Sequence, residues 1–576
     1  MSAESSAPTL RSVLDTMLQD LLDTFPEHAT RLGLDTGSHA RRRHRLDAYS
    51  APALQAWLQR QRDFAASLRA VDPDALDELA RLDRDAVLFH TEVMLEGARL
   101  HPHGTPHDFQ PYVVSQLTGA YQSLPDFLST KHPVDTAEDV HGWLARLEAF
   151  GPALRDEAER LQVDAAAGVL PPAFVLDTTM RQLAALLEPA AEQSPVVASL
   201  LQRTRDRGIA GDWAAPAVQL VRQGLQPAVQ ALLELLHRLR GQATEDAGVC
   251  KLKDGEAYYQ NAIAAQTTTR MSADEIHRVG LEQVAQLTAR IDTLLQAQGF
   301  GDGTVAQRLA ALAQDERYVY PNNDEGRAQL LAELRTLVAD VQARLPAVFD
   351  PLPRAALEVR RVPPEIEAGA PRGYYTAGPA DGSRPGAFYA NLRDTRDWKR
   401  WYAPSFAYHE GVPGHHLQIA LALETEGISM MRRVLWFAAY GEGWALYAEQ
   451  LADEMGLYES NPMGRIGYLQ SMLFRAARLV VDTGLHARRW TRQQAIDYLV
   501  QSVGETASRA TAEVDRYCVM PAQALSYKIG HLRWQALRAA AQQRLGAGFD
   551  LKRFHRETLR RGAMPLAMLD ALAGQL

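Results

Sequence analysis

The chain has 576 residues, 46% hydrophobic and 23% charged, an ordinary globular balance that excludes general disorder. Its formal charge of −9, from 61 Lys and Arg against 70 Asp and Glu, argues against a nucleic-acid partner. Two cysteines, Cys250 and Cys518, exclude a disulfide framework and a thiolate zinc site.

The N-terminus lacks a basic segment followed by an apolar one, and no apolar run approaches ~20 residues. The sequence therefore reads as cytoplasmic, with no membrane partner; a chain trimmed of an export signal would read alike, so a periplasmic or exported location is the alternative. "LRSVLDTMLQDLLDTF" sets Leu10, Val13, Leu14, Met17, Leu21 and Leu22 on one helical stripe. The basic run Arg41 to Arg45 is expected to be a solvated surface segment. "PAVQLVRQGLQPAVQALLELLHRLRG" reads as a helix kinked near Pro227. The next long helix opens with a capping box, Ser272 and Glu275, and stops at Gly299 and Gly301.

Between Leu357 and Leu392 the composition shifts to Pro, Gly, Tyr and β-branched residues. "LEVRRV", "GYYTA" and "AFYANL" are strand candidates there. Helix then returns as "SFAYHEG", "MMRRVLWFAAYGEGWALYAEQLADEMG" and "MGRIGYLQSMLFRAARLVVDTGLHA". The expected fold is mainly α: a large helical body with a small sheet beside the "SFAYHEG" helix. An N-terminal helical region, 1–260, and a catalytic region, 261–576, are expected to form one continuous body.

Within the catalytic region "HEGVPGHH", His409 to His416, departs from the short zinc motif H-E-x-x-H. On an unbroken helix His409 and His416 would lie about 10 Å apart along the axis, too far for one ion, and His415 would face elsewhere. Pro413 and Gly414 can break the helix and absorb the two extra residues, which brings His415 to the second ligand position. Glu410 would then project toward the open position as general base, taking a proton from the attacking water and delivering it to the leaving amine. Glu442, in "YGEGWALYAE", is the candidate third ligand to one zinc ion per chain. Glu449, two turns further on, suits a partner behind the ligands. Sequence leaves open whether His416 replaces His415.

The segments "YHEGVPGHHLQIA" and "YGEGWALYAEQL" resemble the bacterial domain-of-unknown-function family 885, itself taken to be related to gluzincin zinc metallopeptidases. "RPGAFYANLRD", "LVVDTGLHARRWTRQQAIDYL" and "YCVMPAQALSYKIGHLRW" extend the likeness from about Tyr258 to the C-terminus. The resemblance implies a mostly helical peptidase-like fold with the active site in a deep cleft, metal ligands His409, His415 and Glu442, and the base Glu410.

Around these residues, Tyr527 is a candidate oxyanion donor, or else a buried tyrosine satisfied by backbone. Asp482 and His486, four apart, could form a carboxylate–imidazole pair, or else Asp482 serves a structural capping role. A peptide could add to the edge of "GAFYANL", flanked by Tyr389 and Asn391. Arg393, Arg475 and Arg478 are candidate anchors for a substrate carboxylate. The expected function is zinc-dependent hydrolysis of short peptides through metal-activated water. The alternatives are a metal-dependent hydrolase of a non-peptide amide or ester and a non-catalytic helical scaffold.

Overall fold

A computed structural model describes residues 9–364, 367, 370–378 and 384–574. The helical periodicity of the sequence becomes a mainly α architecture with one three-stranded sheet. The chain divides into two compact units. One comprises Met1–Asp72, Met94–Ala247 and Lys251–Asp254; the other comprises Pro73–Val93, Gly248–Cys250 and Gly255–Leu576.

In the first unit the helix Leu10–Thr24 buries Leu10, Val13, Leu14, Met17 and Leu22, the expected stripe, with Leu21 only half-buried. The helices Ala137–Ala166, Ala173–Leu187 and Gln226–Arg240 share a core that includes Trp143, Phe150, Leu176, Leu183, Leu232 and Leu236. Before Pro227 the chain widens into a π-helical stretch, Val221–Leu225. That stretch runs straight into the helix Gln226–Arg240, so Pro227 lies inside one continuous helical run, just after its widened turn. The basic run differs from expectation. Arg42 is buried and donates to Asp23, Gln19 and the Leu34 carbonyl, and Arg43 reaches Asp139 at 2.6 Å. Carboxylates and carbonyls surround these two cations, while Arg41 and Arg45 stay exposed, so the run is solvated at its ends and braced in its middle.

In the second unit the Ser272–Glu275 capping box forms as expected at the head of the helix Ala273–Ala297, which packs along Pro462–Ala487. The sheet comprises β1 (Leu357–Arg361), β2 (Gly373–Thr376) and β3 (Gly386–Ala390), in the order β1-β3-β2. β3 is parallel to β1 and antiparallel to β2. The "GAFYANL" strand is therefore central, with both edges paired, and cannot take an added peptide strand. The outer edges belong to β1 and β2.

The long run beginning "MMRRVLWF" is two helices, Met430–Val434 and Ala438–Glu454, separated by extended Leu435 and Phe437. Periodicity alone reads through such a break, because apolar residues continue on both sides. No helix among the described residues is long and apolar enough to cross a membrane.

Candidate metal centre

The helix carrying His409 ends at Glu410, and a new one starts at His415. Between them the backbone turns through Gly411, Val412, the cis-linked Pro413 and Gly414. A Cβ on Gly414 would sit 1.9 Å from the His409 carbonyl oxygen and 2.4 Å from that of Tyr408, so only glycine allows the chain to fold back this tightly. The buried Trp444 indole donates to the Pro413 carbonyl at 2.9 Å, satisfying an acceptor freed by the break. The Glu442 helix, Ala438–Glu454, is thereby tied to the turn.

These constraints converge three side chains. The Nε2 atoms of His409 and His415 each lie 3.5 Å from Glu442 Oε2, and the three ligand atoms lie within 4.8 Å of one another. A 3.5 Å separation is long for a hydrogen bond. It matches the edge of a tetrahedron whose centre is ~2.1 Å from each corner, the spacing of nitrogen and oxygen ligands around zinc. Glu442 Oε2 is buried with no hydrogen-bond partner among the described residues, which is costly unless a cation occupies the centre of the triad. The donor set, two imidazoles and a carboxylate, fits a borderline-soft divalent ion, zinc foremost.

Glu449 Oε1 lies 2.8 Å from His409 Nδ1, and its other oxygen accepts from the Ser405 hydroxyl. With Nδ1–H held by that carboxylate, the Nε2 lone pair faces the triad. Burial pulls the His409 imidazole down, but Glu442 and Glu449 on its two ring nitrogens push it up to about 9. Burial also pushes the Glu442 carboxyl up, and the facing imidazoles outweigh it, holding the group well below the usual range. Glu410 is raised, first by burial and then by Glu442, against the lowering influence of His415, His409 and Arg475.

Glu410 and the triad line a cavity of about 1030 Å³, together with Tyr375, Asn391, Trp436, Arg475, Arg478 and Tyr527, among others. The Tyr527 helix, Ser526–Leu545, approaches the Glu442 helix closely because Gly443 faces Gly530. A Cβ on Gly530 would lie 2.0 Å from the Ala439 carbonyl. Tyr527 thus comes near enough to Glu442 for that carboxylate to help raise its phenol, behind the larger effect of burial.

Other expectations place differently. His416 spends both ring nitrogens elsewhere, on the Tyr375 hydroxyl and the Ala355 carbonyl, each at 3.1 Å, so it turns away from the triad. Asp482 and His486 do not pair. Asp482 accepts from Tyr259 and the Ala522 N–H, while His486 accepts from the Val249 N–H and meets the Tyr517 carbonyl; both are fully buried outside the cavity lining. They lock the Pro462–Ala487 helix to its neighbours. Tyr389 stacks on Tyr374 and does not line the cavity, although Tyr374 itself does. Asn391 does line it, although its amide donates to the Glu367 and Ala370 carbonyls. Arg393 is exposed and outside the lining.

Sequence reasoning missed Trp436. It is 47% exposed, its ring is 6.1 Å from that of His415, and it packs against Gly441. It sits in the helix break that periodicity passed over. Tyr402, Glu505 and Glu513 were also missed, as ordinary residues with no motif around them.

Residues 26–572 match the family described as "Bacterial protein of unknown function (DUF885)", and the chain belongs to that family. Among solved structures it is similar to "the putative lipoprotein from Colwellia psychrerythraea", with 32% identity, 98% of each chain covered and a TM-score of 0.94. It also shares its fold with "a putative lipoprotein of unknown function from Shewanella oneidensis", at 16% identity, 98% of this chain and 100% of that one covered, and a TM-score of 0.75. No curated protein matches the chain.

Proposed function

We propose that this member of the family is a metallopeptidase of gluzincin type, holding one zinc ion on His409, His415 and Glu442 and hydrolysing short peptides. The observation that carries this reading is the convergence of the three ligand atoms with an unpartnered Glu442 oxygen at their meeting point, beside a buried carboxylate, Glu410, in one cavity. A divalent cation there supplies a Lewis acid that polarises the scissile carbonyl and acidifies an adjacent water.

The protein's own groups do the rest. Glu410 accepts a proton from the attacking water as its oxygen bonds to the carbonyl carbon. It passes the proton to the amide nitrogen as the C–N bond breaks. Burial raises the Glu410 carboxyl, so it holds the proton better between these steps. The Tyr527 phenol, in the lining of the same cavity, donates to the oxyanion of the tetrahedral species. Glu449 keeps His409 in the required tautomer. A cavity of about 1030 Å³ suits a peptide of a few residues rather than a folded protein.

The compartment read from the sequence is cytoplasmic; the description of the Colwellia relative as a lipoprotein supports the exported alternative, and cell fractionation decides it. The function is tested by digesting a peptide library with zinc-loaded protein and reading products by mass spectrometry, beside Glu410→Gln. Cleavage by the parent and none by the variant, at equal metal content, is expected. Equal cleavage by both would remove Glu410 from its role.

A further inference from the structure

The Pro462–Ala487 helix carries two arginines into the cavity, Arg475 and Arg478, each more than nine-tenths buried. Buried guanidinium groups ordinarily meet carboxylates. Arg478 does so in part: its Nε donates to the Tyr517 hydroxyl and Nη2 to Glu513, while Nη1 has no partner among the described residues. Arg475 has no carboxylate within ion-pair distance among the described residues. Its Nη1 donates to the neutral oxygens of Tyr402 and Ser471, and its Nε is buried without a partner. Glu449, Glu410 and Glu505 influence Arg475 from further away; Glu449 is already engaged by His409 and Ser405, and the other two line the same cavity.

The two guanidinium carbons lie 5.9 and 4.7 Å from the centre of the Tyr527 ring. Tyr527 therefore lies close to both cations as well as under the influence of Glu442. A pair of guanidinium groups lining the cavity that holds the metal triad, each with one buried N–H nitrogen left unpartnered among the described residues, is suited to a carboxylate, which accepts two parallel hydrogen bonds from a guanidinium fork.

We infer that Arg475 and Arg478 form a carboxylate-binding subsite that anchors the free C-terminus of a short peptide beside the metal centre. Resting on the peptidase reading above, this makes the protein a carboxy-terminal exopeptidase. The carboxylate fixes the chain end, and the bond cut is the one that reaches the triad from there. An acidic side chain offers the same chemistry by another route, so the test separates the two sources.

The test uses zinc-loaded Glu410→Gln protein and random pentapeptide libraries in three forms: free C-terminus, C-terminal amide, and C-terminal amide enriched in Asp and Glu. Retention on the protein is measured by affinity selection and mass spectrometry. The free-acid library is expected to bind roughly tenfold to a hundredfold more tightly than the plain amide, the range of a charge-assisted hydrogen bond. Recovery of that preference by the acidic amides alone would transfer the subsite to side-chain carboxylates and overturn the C-terminal assignment. Equal retention of all three libraries, or of none, would overturn the subsite itself. Arg475→Gln, in the same background with metal content and thermal midpoint checked, is expected to lose the discrimination while keeping its zinc. Arg475→Lys, which keeps the charge but not the fork, covers the case in which the glutamine variant fails to fold, and should retain only part of the discrimination. A parent that digests neither free nor amidated peptides in the library experiment fails the peptidase reading. A parent that digests both at equal rates keeps that reading and sinks the carboxylate subsite.

Discussion

The indole nitrogen of Trp444 and the carbonyl oxygen of Pro413 are hydrogen-bonded at 2.9 Å, in a region where both residues are fully buried. This bond joins the turn that redirects His415 to the helix that carries Glu442. Trp444→Phe keeps most of the ring packing but leaves that carbonyl unpaired, at a cost of ~1–3 kcal/mol. The variant should show a lower unfolding midpoint in denaturant and weaker zinc retention under chelator competition. Unchanged zinc retention would mean the turn is set without the tryptophan.

Glu449 holds His409 through Nδ1 without facing the triad itself. Glu449→Gln can still accept that hydrogen bond but loses the charge, and zinc affinity should fall roughly tenfold to a hundredfold. Competition with a chromophoric chelator measures this directly. An affinity within twofold of the parent would show that the carboxylate contributes only packing.

Tyr527 should act on the reaction rather than on the fold or the metal. Tyr527→Phe removes one oxyanion donor, for which a loss of roughly a hundredfold in kcat, with KM little changed, is expected. A change confined to KM would place the phenol on the ground-state substrate instead.

Burial pushes the Asp482 carboxyl from 3.8 to about 7, against the lowering effect of its hydrogen bond from Tyr259 and of the Ala522 N–H. A raised folded-state value means the native protein binds the proton more tightly than the unfolded chain. The stability this confers is complete below pH 3.8 and is lost as pH rises through 7. Asp482→Asn stays neutral throughout, so it should flatten the decline between pH 5 and pH 9 by up to a few kcal/mol. Chemical denaturation at those two pH values reads the difference. A parallel pH dependence in parent and variant would rule out Asp482 as its source.

Much of this site was legible in the sequence because its chemistry is local. The Pro413–Gly414 pair announced a broken helix with His415 as the candidate second ligand, but the choice between His415 and His416 was settled only by the partners that His416 finds on Tyr375 and Ala355. The sheet was legible from β-branched and turn residues, but its strand order was not. β3 pairs with β1 only after the chain has run out through β2, and nothing in the "GAFYANL" segment encodes which edge stays free. Asp482 and His486 look like a pair because they are one helical turn apart. Burial decided otherwise by offering each a nearer partner from a distant segment, Tyr259 and Val249. Trp436 was invisible for the opposite reason: it sits where a helix stops, and the apolar pattern around it does not.

The most direct measurement is an anomalous difference map from crystals of zinc-loaded protein, collected above and below the zinc absorption edge. One peak per chain is predicted, ~2.0–2.2 Å from His409 Nε2, His415 Nε2 and a Glu442 oxygen. A map with no peak there, or with His416 turned in to hold the ion in place of His415, would contradict the account.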